Sequence, residues 1–427
     1  MRRPKLLLIL TFALSAILVL TVLLNSPQVQ DRVGWRVSEL LARIKYAVFP
    51  PEQVVFVPDG ISSHELTPTN TSISTQTPLV VNTLESSEPS LEFQPAVTIT
   101  PTPIPSSRVL TGFRHEYQSW NNCGPATLAM ALSYWGWDGD QRPIAAFTKP
   151  NSRDKNVMPH EMAAFVAEET SYEIIVGVGG EVEILRQFIA ADLPVIIEKG
   201  FEGPDLEGWM GHYGLVTVYN DLDQTFIIQV SYYGPDQLIK YEELNRYWRA
   251  FNFAYLVIYP DWYKNQVMNL IGPRSDNNDH YRYAVEIASE EVNKLSGRDQ
   301  FFAWFNRGSS LVALEDYDEA AIAYDQAFKL YPTIPEKERP WRMLWYQTGP
   351  YQAYYYTGRY QDVVNLAGTT LSAISEPVLE ESYYWRARAL LALEDRDGAI
   401  KDLQTSLKVH PGFSPSLSLL HELGVDQ

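Results

Sequence analysis

Cysteine is nearly missing from this chain: Cys123 is the one thiol in 427 residues. That excludes an intramolecular disulfide framework and any zinc site built from several thiolates. Basic residues are also short, 34 Lys and Arg against 52 Asp and Glu, for a formal net charge of −18. Such a surface argues against nucleic acid as a partner and keeps the chain soluble by self-repulsion. No Walker-type phosphate loop occurs, because Gly177-Val-Gly-Gly180 is not followed by Lys-Ser/Thr and reads instead as a strand-to-helix turn. Neither a cofactor nor a metal is expected. What the chain does have is 45% apolar residues, enough at this length for two or three domains with real cores.

Residues 1–25 hold a basic leader, Arg2, Arg3 and Lys5, and an uncharged apolar run from Leu6 to Leu24. A run of that length spans a bilayer as one helix, and no small-x-small cleavage site follows it. The expectation is a retained signal anchor, N-terminus inside, with the folded domains extracytoplasmic. Residues 26–59 follow, where Val33, Val37, Leu40, Leu41, Ile44 and Val48 share one helical face. Two readings fit that juxtamembrane segment: an amphipathic helix on anionic headgroups, or a short helix packed on the body or on a second copy. Residues 60–107 contain Ser, Thr, Pro and Glu without one Lys or Arg, and read as a disordered stalk.

The informative stretch is Gln118-Ser-Trp-Asn-Asn-Cys-Gly-Pro-Ala-Thr-Leu-Ala-Met130. Pro125 suits the first turn of a helix, so Cys123 opens one, where the macrodipole and unpaired N–H groups favour thiolate. Gln118, one short loop upstream, carries an amide able to donate to an oxyanion beside the sulfur. Among seven histidines, His212 stands at the mouth of an apolar strand in Gly208-Trp-Met-Gly-His212-Tyr-Gly-Leu-Val. An imidazole there suits a general base for the thiol. Helices and strands alternate from 108 to 262, helix first and a largely antiparallel sheet later, which predicts an α+β domain.

The segment around Cys123 resembles the catalytic-cysteine segment of papain-like cysteine peptidases. It is most similar to the family 39-like group that includes bacterial bacteriocin-leader (double-glycine) processing peptidases. Gln118, Asn122, Cys123, Gly124, Pro125 and His212 carry the likeness. The resemblance implies a peptide or protein substrate, Cys123 as nucleophile, His212 as base and Gln118 as oxyanion donor. The missing Walker loop separates the chain from exporters that fuse such a peptidase to an ATPase. In this family an Asp or Asn ends the strand after the histidine strand; here Ile228-Gln-Val-Ser-Tyr-Tyr-Gly-Pro235 puts Val230 in its place. Gln229 or Ser231 would have to orient the imidazole, through a bulge that shifts the register by one residue.

Residues 263–427 are helical and repetitive. Trp304, Gly308, Leu311, Ala320, Tyr324, Ala327 and Pro332 stand at tetratricopeptide positions, and Tyr383, Ala387, Leu390, Ala399, Leu403, Ser406 and Pro411 repeat them. Tyr351, Tyr354, Tyr360, Val363 and Ala367 form a degenerate copy between. An all-α array of this kind binds a protein partner in a groove. Three functions fit the sequence: a membrane-anchored thiol peptidase, a catalytically impaired scaffold for protein–protein interaction, and a thiol enzyme for another amide reaction such as transamidation.

Overall fold

The computed structural model describes residues 104–425 except 155, 204–207, 276–277 and 375, together with the isolated positions 40, 44, 48, 56 and 58. The expected anchor at residues 6–24 and the Ser/Thr/Pro run up to residue 103 lie outside the described residues. Among the described residues no helix is long and apolar enough to cross a membrane.

The first half is a mixed α/β unit. A short β1 (Ser107–Val109) leads through a long entry loop into α1 (Cys123–Tyr134), α2 (Gln141–Thr148) and α3 (Pro159–Glu169). Then come β2 (Glu173–Gly177), α4 (Val182–Ala190), β3 (Val195–Phe201) and β4 (Met210–Asn220). The unit closes with β5 (Thr225–Val230), β6 (Gly234–Lys240), α5 (Tyr241–Trp248) and β7 (Tyr255–Tyr259). The strands form one antiparallel sheet in the order β2-β7-β3-β4-β5-β6, with β1 on the far end of β4.

Local chemistry sets these boundaries. Asp140 caps α2 by accepting from the Arg142 N–H. Pro159 opens α3, and Glu161 reaches back to accept from the Met158 N–H at 2.6 Å. Gly179 at φ +65° turns the chain from β2 into α4, as the glycine-rich stretch predicts. β6 and β1 have no counterpart in the sequence reading, because Gly-Pro-Asp-Gln-Leu-Ile-Lys lacks apolar alternation and β1 is fully exposed.

The sheet has two covered faces. On one, α1 and α3 pack Leu128, Met130, Leu132, Met162 and Phe165 against Ile196, Tyr213, Leu215 and Leu256. On the other, Leu185, Phe188 and Trp248 from α4 and α5 meet Val195, Ile197, Phe201, Val216 and Phe226. Side chains alternate along a strand, so the first part of β4 sends Tyr213 and Leu215 toward α1 and His212 and Val216 to the α5 side, before a register shift between Val216 and Val218.

The second half is helical, as its repeat pattern predicts. After α6 (Lys264–Ile271) and α7 (Asp279–Lys294) come three helix pairs. These are α8 (Gly297–Ala313) with α9 (Tyr317–Leu330), α11 (Gly349–Tyr356) with α12 (Tyr360–Ser372), and α13 (Glu380–Ala392) with α14 (Arg396–Val409). A one-turn α10 (Met343–Tyr346) sits in the insertion and α15 (Ser414–Glu422) caps the array.

The halves share a core. Trp209, Ala250 and Phe251 of the α/β unit are buried in one cluster with Phe301, Phe302, Tyr324 and Tyr354 of the repeats. Arg249 donates to both carboxylate oxygens of Glu291 at 2.9–3.0 Å, and Asn252 donates to Ser310 Oγ at 2.8 Å. Arg342 donates to the Trp209 carbonyl at 2.9 Å. Phe56 also belongs to this cluster: it is 8% exposed and meets the Phe328 ring edge-on at 5.3 Å. Leu40, Ile44 and Val48 are helical and exposed, so these three positions do not pack on the described body.

Candidate functional site

The site is built on the entry loop before α1. Gln118 is clipped to the end of β5: its N–H donates to the Ser231 carbonyl at 3.0 Å, and its Oε1 accepts from Ser231 Oγ at 2.9 Å. That clip orients the amide oxygen inward, and among the described residues no hydrogen bond uses the amide nitrogen. Gln141, a buried residue, holds the rest of the loop. Its Oε1 accepts from Ser119 N–H at 2.7 Å and from Asn122 Nδ2 at 3.0 Å, while its Nε2 donates to Glu116 and to the Tyr117 carbonyl. Lys149 Nζ donates to the carbonyls of Trp120 and Asn121, both at 3.2 Å. Neither Gln141 nor Lys149 was legible as a site residue, since each meets these partners across 19 to 29 residues of sequence.

Cys123 stands at the first position of α1 as expected, but its surroundings do not bias it toward thiolate. Cys123 is partly buried, and desolvation pushes its thiol up; the nearby Tyr213 N–H pulls the other way, Glu198 adds to the upward push, and the Gly124 N–H and Lys149 charge lower it again. Tyr213, which faces α1, lies against Gly124 and donates its hydroxyl to the Val157 carbonyl at 2.8 Å. Its cross-strand partner is Glu198, whose carboxyl is pushed up to about 8 by burial, partly offset by a hydrogen bond with Tyr213. From the helical half, the Tyr346 ring lies over Gly211, where an added Cβ would come within 3.0 Å of it.

His212, the expected base, does not stand in this group. Its cross-strand partner is Lys199, and its ring stacks on Phe201 at 4.3 Å with 16° between planes, on the α5 side of the sheet. The residue is 3% exposed, its Nε2 is buried without a hydrogen-bond partner, and no hydrogen bond joins it to Cys123. Burial, and next the Lys199 ammonium, hold the imidazole well below its ordinary value. A strand repeats every two residues, so moving one position from Tyr213 to His212 changes the face. The thiol and the imidazole are therefore each biased to the neutral form, and the structure does not bring them into a hydrogen-bonded pair.

The two substitute orienting residues are also occupied elsewhere. A register shift does fall between Ile228 and Val230, as the expectation required. Yet Gln229 Nε2 donates to Thr217 Oγ1 at 3.0 Å and to Asp236 at 2.9 Å, while Ser231 serves Gln118. Val230 lies in the apolar core on the α5 side. Glu198 and Lys199 were missed as well; the one available signal was a Glu-Lys pair ending the apolar run Pro194-Val-Ile-Ile.

Comparison with known proteins agrees with the two-part reading. Residues 110–256 match the model of the Peptidase_C39 like family. Residues 301–334 and 381–412 each match a tetratricopeptide repeat model. No curated protein matches the chain. A C39-like peptidase from Bacillus anthracis aligns at 14% identity and TM-score 0.30, over 36% of this chain and 98% of its own. Xylellain, a cysteine protease from Xylella fastidiosa, aligns at 14% identity and TM-score 0.29, over 37% of this chain and 87% of its own. The protein is thus a fusion of a C39-like, cysteine-peptidase-like domain with tetratricopeptide repeats.

Proposed function

We propose that this protein is a peptidase-fold scaffold that works by binding other proteins through its repeats, with the Cys123 site hydrolytically silent. The observation that carries the reading is the His212 ring stacked on Phe201, across the sheet from the face that α1 covers. Thiol catalysis requires proton transfer from sulfur to a base within hydrogen-bond reach. Here the thiol is pushed up and the imidazole down, so charge separation is opposed at both ends. Val230 removes the carboxylate that would favour an imidazolium. Binding by the repeats is supported by Phe56, an aromatic side chain from a distant segment already accommodated against Phe328 and Tyr354. The scaffold would be tethered by residues 6–24 with its folded part outside the cytoplasm.

A second reading has its own observation. The Tyr213 and Gly124 N–H groups lie near enough to the sulfur to favour a negative charge there, and among the described residues the Gln118 amide nitrogen is unused, a donor set suited to an oxyanion. On that reading the chain hydrolyses or transfers amides once His212 leaves Phe201. The pH dependence of Cys123 alkylation by iodoacetamide separates the two. The scaffold reading expects a rate that rises with an apparent pKa at or above the usual ~8.5 and is unchanged in His212→Ala. A plateau well below that value, lost in the variant, would overturn it in favour of the hydrolase.

A further inference from the structure

Outside the Cys123 site, one group of side chains has the composition and spacing of a metal centre. Asp154, from the loop between α2 and α3, Glu380 at the first position of α13 and His410 at the end of α14 each offer one ligand atom, all within 4.8 Å of one another. It is the one such group of three or more among the described residues.

A cluster of acids alone would carry nothing, but one of these is incomplete. Glu380 is 3% exposed, and its Oε1 pairs with His410 Nδ1 at 2.7 Å, yet its Oε2 is buried with no hydrogen-bond partner. A buried carboxylate oxygen left without donor or cation is strongly disfavoured. Asp154, equally buried, uses one carboxylate oxygen, Oδ1, to accept from the Asn156 N–H at 3.2 Å. Further acids stand close enough to act on these: Glu161 and Glu381 both feel the charges of Asp154 and Glu380. Lys149 supplies one cation nearby, already committed to the carbonyls of Trp120 and Asn121.

We propose that Asp154, Glu380 and His410 bind a divalent transition-metal cation of the Zn²⁺ class at the seam between the peptidase-like domain and the last repeat. Two carboxylate oxygens and one imidazole nitrogen suit a borderline-soft ion with ligand bonds of ~2.0–2.2 Å, leaving a fourth position for water. The placement also gives the ion a structural task. The same loop is tied to α14 by Asn151 Nδ2, which donates to the Val409 carbonyl at 2.8 Å. On its other side, Asn121 Nδ2 donates to the Asp154 carbonyl at 2.9 Å, two residues before Cys123. The metal clamps the repeat array to the loop that shapes the nucleophile's approach.

The test uses the purified full chain, stripped with EDTA and dialysed, then titrated calorimetrically with ZnCl₂ and assayed for bound metal. The expected result is one Zn²⁺ per chain, a rise in thermal midpoint on adding zinc, and at least tenfold weaker binding in both Glu380→Gln and His410→Gln. Because Glu380→Gln removes an uncompensated carboxylate oxygen, its zinc-free thermal midpoint should equal or exceed that of the parent, which keeps misfolding apart from lost affinity. Failure of the parent chain to bind Zn²⁺, or binding that neither variant weakens, overturns the proposal; so does binding of Ca²⁺ in place of Zn²⁺.

Discussion

At the scale of single residues, Glu198 and His212 show how one strand step decides chemistry. Glu198 is buried beside Tyr213 with its carboxyl pushed up to about 8, from an ordinary 4.5. An acid with a raised folded pKa binds its proton more tightly when folded. Its contribution to stability is therefore intact below about pH 4.5 and lost as pH rises through 8. A glutamine keeps a hydrogen-bonding side chain without the charge. Glu198→Gln should match the parent at pH 4 and exceed it by ~3 kcal/mol at pH 9, read from urea denaturation at each pH. Equal pH slopes in parent and variant would show that Glu198 is ionised in the folded chain at little penalty.

Elements were legible where periodicity had a single explanation, and the site failed where it did not. The repeat positions from Trp304 to Pro332 and from Tyr383 to Pro411 each fell on a helix pair, because small residues there must face large ones. Cys123 and Gln118 were found because a helix start and a short loop are local features. The face of His212 was not, since β4 carries apolar residues on both sides: Tyr213 and Leu215 on one, Val216 and Tyr219 on the other. Alternation then reveals that faces exist without saying which one α1 covers. The same packing logic gives a paired prediction in the repeats. A Cβ on Gly308 would lie 2.8 Å from the Tyr324 ring, whereas on Gly368 it would meet only the far end of Arg386 at 4.0 Å. Gly308→Ala should lower stability by ~1–3 kcal/mol, while Gly368→Ala, mid-helix in α12, should raise it by up to ~1 kcal/mol. Thermal melts of the two variants side by side check both signs.

For the whole molecule, the boundary near residue 262 divides the sequence but not the core. Trp209 and Phe251 stack at 5.7 Å and are buried largely by Phe302 and Tyr346 of the helical half. Cutting there would expose that aromatic face together with Arg249, whose partner Glu291 lies across the cut. A fragment of residues 104–262 should therefore lack a cooperative melt and bind a hydrophobic dye, whereas residues 104–427 should unfold in one calorimetric transition. Two separate transitions in the longer chain would mean that the shared cluster does not couple the halves.

Phe56 has a consequence for reach. It is fixed in the repeat core, and β1 at Ser107 is fixed to β4, so the Ser/Thr/Pro run has both of its flanks held on the body. Lengthening that run changes nothing about how far the body can travel, and each doubling adds only ~0.6 kcal/mol of closure entropy. If residues 6–24 cross a bilayer as proposed, the leash is the run from 25 to 55, at most about 100 Å when fully drawn out and shorter while Leu40, Ile44 and Val48 keep their helical backbone. On the proposed tethering, the working radius is therefore set by the shorter segment ahead of Phe56 and not by the length of the polar run.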